Sequence, residues 1–225
     1  MRKFGAHGTS HKFVSQEAAK YLGKKPEELK IVTCHLGNGS SISAVDGGIC
    51  VDTSMGFTPL AGVLMGTRSG DIDASAVEFL ARKKGMTHAE IVTYLNKKCG
   101  VAGISGVSSD FRDLIAGEEQ GNERCKLALD MFSYQTKRFV GAYAAVMGGL
   151  DCIVFTAGIG ENTPEVRAGV CEGLEFLGVK IDLEKNEGKN DGNIRDISAE
   201  GSRVKILVIP TNEELVIARE TAELL

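Results

Sequence analysis

His7 and His11 stand four residues apart in the run Gly5-Ala6-His7-Gly8-Thr9-Ser10-His11, among glycine and small hydroxyl residues. A tight polar turn of this kind lets an imidazole reach an anion without bulky neighbours. The same spacing suits zinc only on a helix with a third ligand, and Gly8 and Thr9 predict a loop. His11 is equally read as a structural histidine satisfied by backbone carbonyls. In His35-Leu36-Gly37-Asn38-Gly39-Ser40-Ser41, glycines on either side of Asn38 free backbone amides to face a phosphate, and the Asn38 amide adds a neutral donor. An ordinary Asn-Gly hairpin accounts for the same residues.

Arg68 stands between glycines and beside paired aspartates in Gly66-Thr67-Arg68-Ser69-Gly70-Asp71-Ile72-Asp73. Its guanidinium suits a forked contact with a carboxylate or a transferring phosphoryl group; a surface pair with Asp71 is the plainer reading. Asp110-Phe111-Arg112 places an aromatic between opposite charges, a common triplet able to stack a base and hold a ribose. Phe155-Thr156-Ala157-Gly158-Ile159-Gly160-Glu161-Asn162 reads as a strand that ends in Gly-x-Gly and opens a helix, a general phosphate-binding device. Thr211-Asn212-Glu213-Glu214 adds carboxylates able to hold magnesium directly or through water. The glycine run is not a Walker loop, because no Gly-Lys-Ser or Gly-Lys-Thr follows, and no acidic residue ends a second strand as a dinucleotide fold needs.

These segments need a scaffold of strands and helices. Ser15 to Leu22 reads as a helix closed by Gly23, and Pro26 starts a short turn. Lys30 to His35, Ser40 to Val45 and Ile49 to Asp52 alternate as strands of an antiparallel meander about Gly37-Asn38-Gly39 and Asp46-Gly47-Gly48. Helical spacing follows from Ile72 to Lys84, and Thr87 caps a helix to about Lys98. From Arg124 to Met147, the stripe Leu127, Met131, Tyr134, Phe139 and Ala142 predicts a central buried helix packed on a sheet. Cys152 to Thr156 reads as a buried strand, Pro164 starts a helix, Lys205 to Ile209 is the last strand and Glu213 to Leu225 the last helix. The class is mixed α/β.

Bulk properties exclude other classes. With 225 residues, 43% hydrophobic, the chain can bury a large core, and a formal charge of −4 gives no basic field for nucleic acid or an anionic membrane. The longest apolar stretches, such as Ile206 to Pro210, are strand-sized, and no charged-then-apolar leader opens the chain, which predicts a cytoplasmic protein. Six cysteines without a Cys-x-x-Cys pair read as buried reduced thiols.

In this order the segments HGTSH, HLGNGSS, DTSMGFTPLAGVLMGTRSGDID, SDFRD, FTAGIGEN and IPTNEELVIARET closely resemble the acetate kinase family from Phe4 to the C-terminus. The resemblance implies a ribonuclease-H-like domain of the actin, sugar kinase and chaperone ATPase superfamily, a mixed sheet with flanking helices. Residues 1–212 would form the second, nucleotide-binding domain, and 213–225 a helix that returns toward a first domain. That first domain carries the family's Asn-x-x-Ser-Ser phosphate loop and is missing here. Since the chain begins Met1-Arg2-Lys3, a split or truncated gene, or a domain produced with a new initiator methionine, is expected.

Carried over by position, the resemblance implies that His7 donates to the phosphoryl group in flight and that Arg68 orients acetate and stabilises the transition state. Gly37, Asn38 and Gly39, with His35 and Leu36 beside them, would touch the β and γ phosphates of ATP or ADP. Asp110, Phe111 and Arg112 would meet the nucleoside, and Gly158, Ile159, Gly160, Glu161 and Asn162 the adenosine side of the cleft. Pro59 would line the acetate methyl pocket, and Glu213, with Glu214 as fallback, would hold Mg²⁺. Acetate and acetyl phosphate are the implied small substrates, with propionate or butyrate as other acids, and a homodimer the implied assembly. A nucleotide-binding and dimerising fragment without turnover is the other reading.

Overall fold

A computed structural model describes residues 2–224. In chain order, its elements are helix Gly8–Tyr21 (α1), strands Lys30–Leu36 (β1), Ser40–Asp46 (β2) and Ile49–Thr53 (β3), and helices Ala74–Lys84 (α2), His88–Lys97 (α3), Gly100–Ser105 (α4), Phe111–Glu119 (α5) and Glu123–Val146 (α6). Strand Cys152–Thr156 (β4), helices Ala157–Asn162 (α7), Pro164–Cys171 (α8) and Leu183–Asn186 (α9), strands Arg195–Asp196 (β5) and Lys205–Val208 (β6), and helix Glu213–Ala222 (α10) complete it. The end of the expected last helix, Leu225, lies outside the described residues.

One mixed sheet runs β3-β2-β1-β4-β6-β5. The predicted meander is present, β1 and β3 both pairing antiparallel with β2. β4 lies parallel to β1 and β6 parallel to β4, so these three strands end at the same edge. This is the ribonuclease-H-like arrangement. Loops at the carboxyl ends of parallel strands form the crevice in which open α/β sheets bind ligands.

The two-residue period of the strands sorts the core into two layers. Val32, Cys34, Leu36, Ile42, Ala44, Ile153, Phe155 and Ile206 pack toward α5, α6 and α8. Ile31, Val45, Cys152, Val154 and Leu207 pack toward Phe13, Val14, Ala18 and Ala19 of α1 and Val216 of α10. On this second face the pattern turns polar at the carboxyl edge, where Thr33 pairs with Ser43 and His35 with Ser41 in register. The first turn of α1 lies over that polar strip.

The structure corrects several expectations. α1 starts at Gly8 and not at Ser15: His7 is the N-cap at φ 59°, and its carbonyl accepts from His11 N at 2.9 Å. Burial of Phe13 and Val14, worth about 1.5–3 kcal/mol for each large side chain, outweighs the weak helix propensity of Gly8 and Thr9. α4, α5 and the short β5 were not foreseen. In α6 the face toward the sheet carries Cys125, Ala128, Leu129, Phe132, Thr136, Val140 and Tyr143, whereas Leu127, Tyr134 and Ala142 of the predicted stripe are exposed. The buried Thr136 hydroxyl is satisfied by donating to the Phe132 carbonyl at 2.9 Å. All six cysteines are free, but Cys50, on the edge strand β3, is exposed.

Candidate active site

At the sheet's carboxyl edge, β1, β4 and β6 deliver the segments singled out in the sequence to one place. The loop after β1 carries Gly37, Asn38 and Gly39, α7 follows β4, and Thr211 and Glu213 follow β6. His7 Nδ1 lies 2.9 Å from Ser41 Oγ, and its ring stacks on His35 with centroids 4.0 Å apart. Ser10 of α1 contacts His35 Nδ1 at 2.9 Å and Thr211 Oγ1 at 2.8 Å, tying the β6–α10 loop to the histidines. The two non-glycine residues with positive φ among the described residues, His7 and Ala157 (φ 65°), both lie at this edge. Such backbone strain gathers at functional sites.

Arg68 reaches the same loop from the segment after β3. A methyl group on Gly39 would meet Arg68 Nη1 at 3.1 Å, so the guanidinium lies against the Asn38 loop. Nη1 donates to the Pro59 carbonyl at 3.1 Å. Among the described residues no carboxylate pairs with Arg68; Asp71 instead accepts from Gly62 N at 2.8 Å. Its Nε and Nη2 therefore remain open to an anion. Gly66 N donates to the Asn38 carbonyl at 3.2 Å, and a methyl group on Gly66 would lie 1.9 Å from Asn38 Oδ1. A side chain there would push the Asn38 amide aside.

Charge couples these parts. Burial pushes the His7 pKa below that of a free histidine, the Glu213 carboxylate raises it again, and Arg68 lowers it. Burial also pushes His11 down to about 3 and His35 to about 4. The cluster is neutral near pH 7. Beyond Asn38, Gly37, Asp110, Phe111, Arg112, Gly158 and Asn162 line a cleft of about 520 Å³. The edge thus holds an imidazole, a guanidinium, glycine-rich amides and a carboxylate next to a nucleoside-sized cleft.

Residues 1–219 match the acetokinase family model. The chain belongs to the acetokinase family. It is 60% identical over 225 residues to the acetate kinase of Heliobacterium modesticaldum and 57% identical to that of Clostridium beijerinckii. It spans all of its own length but 56% of each of those acetokinases. The crystal structure of Porphyromonas gingivalis acetate kinase is similar over 99% of the chain and 55% of that protein, with TM-score 0.96 and 46% identity. A propionate kinase from Francisella tularensis matches over 98% of the chain and 55% of its own, with TM-score 0.90 and 44% identity.

Within this acetokinase edge, several of the expected side chains already have partners in the protein. The Phe111 ring is buried, edge-on to Phe132 with centroids 4.8 Å apart, so it does not offer a face to a base. Leu36 is fully buried in the core, leaving its backbone alone for the loop. The Glu161 carboxylate accepts from Ala157 N at 2.9 Å and Thr211 N at 3.2 Å, bracing two loops. Asn162 donates to the Gly158 carbonyl at 2.9 Å. Asp110 and Arg112 pair with each other at 2.5 Å on the surface. His11 is satisfied by hydroxyls, not by the backbone carbonyls expected of it: Thr33 and Ser41, each at 2.7 Å.

Among the described residues no group of three or more His, Cys, Asp or Glu side chains is arranged to hold a metal. A magnesium ion bound chiefly to substrate phosphates needs only one or two carboxylates. Glu213, half-buried and close enough to influence His7, fits that requirement; Glu214 is exposed. Sequence reasoning missed Ser10, Thr33, Ser41 and Thr211. The alternation of Thr33, His35, Ser41 and Ser43 on one strand face was the available signal.

Proposed function

We propose that this chain is the nucleotide-binding, carboxy-terminal part of an acetate kinase, which transfers the γ-phosphoryl group of ATP to acetate to give acetyl phosphate and ADP. The observation that carries this reading is the convergence of His7, Arg68, the Asn38 loop and Glu213 at one edge, beside the Asp110–Gly158 cleft. An acetate oxygen attacks the γ-phosphorus in line, the new O–P bond forms as the bond to the bridging oxygen breaks, and ADP leaves. Acetate reacts as the carboxylate, so no proton need be moved. Charge spreads over three equatorial oxygens in the transition state, and fixed donors aimed there do most of the catalysis.

Arg68 orients the acetate carboxylate and meets the phosphoryl oxygens from one side, while His7 donates from the other. Gly37, Asn38 and Gly39 hold the β and γ phosphates. Pro59 borders the acetate methyl group, its carbonyl fixing Arg68. The Arg112 side chain, the backbone of Asp110 and Phe111 and that of Gly158 to Asn162 border the nucleoside. Glu213 would hold Mg²⁺, which when bound neutralises the phosphate oxygens.

The chain spans little more than half of its relatives' length, which supports a second statement: turnover needs groups from the remaining part, toward which α10 would return. A coupled assay of ADP formation with acetate, run on this chain alone and with the missing part added, tests both. Negligible activity alone and recovery on addition is the expected result; robust activity alone contradicts the second statement, and none in either case contradicts the first. The propionate kinase neighbour makes acid length a separate question, answered by comparing acetate, propionate and butyrate turnover. Outward-facing Leu127, Tyr134 and Val146 of α6 support a homodimer, and free thiols a cytoplasmic setting.

A further inference from the structure

Behind His7 runs a chain of short hydrogen bonds that phosphoryl transfer alone does not require. His7 Nδ1 lies 2.9 Å from Ser41 Oγ, Ser41 Oγ 2.7 Å from His11 Nε2, and His11 Nδ1 2.7 Å from Thr33 Oγ1. Ser41 and Thr33 are fully buried and His11 is 4% exposed, so the groups must satisfy one another. Each hydroxyl has one hydrogen and each neutral imidazole one N–H. Two self-consistent directions therefore exist. In one, Thr33 donates to His11 Nδ1, His11 Nε2–H to Ser41, and Ser41 to His7 Nδ1, which leaves the His7 proton on Nε2. In the other every bond is reversed, and His7 Nε2 is a bare lone pair.

The far end decides between them. Among the described residues the only other acceptor near the Thr33 hydroxyl is the Ser43 carbonyl at 3.5 Å, a poor hydrogen bond beside the 2.7 Å contact to His11. The reversed direction leaves that buried hydroxyl almost without an acceptor. At the near end, His7 Nε2 has no protein partner, yet it is not one of the sealed, unpartnered polar atoms, which among the described residues are the Tyr143 hydroxyl and Arg195 Nε. It keeps access to solvent at the carboxyl edge, and the charges of Glu213 and Arg68 and the stacked His35 ring bear on it.

We propose that Thr33, His11 and Ser41 form a relay that fixes His7 as its neutral Nε2–H tautomer, ready to donate to a phosphoryl oxygen without first taking up a proton. The three are positioning residues; none touches substrate. The donor role rests on the function proposed above, whereas the tautomer does not. Burial that keeps His11 neutral supports the single N–H on which the direction depends.

Two-bond ¹H–¹⁵N spectra of this chain labelled with ¹⁵N-histidine, near neutral pH and without nucleotide, read the tautomers directly. His7 and His11 are both expected as Nε2–H. Thr33→Val, which removes the hydroxyl at nearly constant shape, should move both toward Nδ1–H, and Thr33→Ser should restore them. A His7 ring that is Nδ1–H or evenly mixed in the unaltered chain overturns the relay, as does a tautomer indifferent to Thr33→Val. In the complete kinase, Thr33→Val should lower kcat by about tenfold, the lower end for losing an outer partner of an active imidazole. KM for ATP should stay within about twofold, and Thr33→Ser should recover most of the rate. Because the spectra need no turnover, failure of the kinase reading would leave the tautomer result standing.

Discussion

The two ends of the candidate site are built from different materials. At the His7 end, imidazoles and hydroxyls are locked together by contacts of 2.7–2.9 Å, and Ser10, Thr33 and Ser41 are fully buried. At the Asp110 end the polar groups are on the surface: the Arg112 side chain is 90% exposed and its partner is the neighbouring Asp110. Groups that cannot reorient need no reorganisation when charge develops beside them, which is how fixed dipoles lower a barrier. Exposed pairs are screened and mobile, so they tune affinity more than rate. On the proposed function, one end serves the reaction and the other holds the nucleotide.

The sharpest way to break that contrast is Arg68→Ala in the complete enzyme. Turnover is expected to fall about 10²- to 10³-fold, or roughly 3–4 kcal/mol, with ATP affinity and fold retained. Near-normal turnover would remove Arg68 from the reactive end.

Acid probes the same end through stability. His11 and His35 are held neutral in the fold, at about 3 and about 4, by burial and then by neighbouring imidazoles, whereas in the unfolded chain they take up protons near pH 6.5. Their contribution is complete above that value and is lost as pH falls toward the folded values, with a slope of about 1.4 kcal/mol per pH unit for each histidine. Urea denaturation at pH steps between neutrality and about pH 5 measures it. A midpoint that does not move would show that the cluster is not sealed.

Gly66→Ala tests the junction between the two ends. Its methyl group would lie 1.9 Å from Asn38 Oδ1, so the Asn38 amide must move from its place. A cost of about 1–3 kcal/mol in thermal unfolding, with weaker ADP binding, is expected. Unaltered ADP binding would mean that Asn38 does not set nucleotide affinity. The smallest effect should come from Arg112→Ala: an unchanged melting temperature and about tenfold weaker nucleotide binding in calorimetry, the worth of one charge-assisted hydrogen bond. A large loss of stability would contradict its surface character.

The strands and the glycine-rich loops were legible because period-two alternation and Asn-Gly turns are local signals. The start of α1 was not, since Gly8 and Thr9 carry weak helix propensity and what holds them is packing of residues further along. In α6 the predicted stripe marked the wrong face, because Leu127, Tyr134 and Ala142 lie outward while the buried face mixes small residues with Leu129, Phe132 and Tyr143. In the site, His7, Asn38 and Arg68 stood out by type and spacing. Thr33 and Ser41 did not: a threonine and a serine inside strands look like ordinary sheet residues until two antiparallel neighbours and a helix end bring them to one imidazole. The same holds for Phe111, whose ring is claimed by Phe132 across a distance that no local pattern reveals.

The central claim is that separate loops at the sheet's carboxyl edge form one nucleotide site. Amide chemical-shift mapping of this chain titrated with magnesium ADP tests it most directly. The account predicts that Gly37 to Gly39, Asp110 to Arg112, Gly158 to Asn162 and the residues around His7 shift together along one binding curve. Shifts confined to a single segment, or scattered over the α2–α3 surface while this edge stays silent, would contradict it.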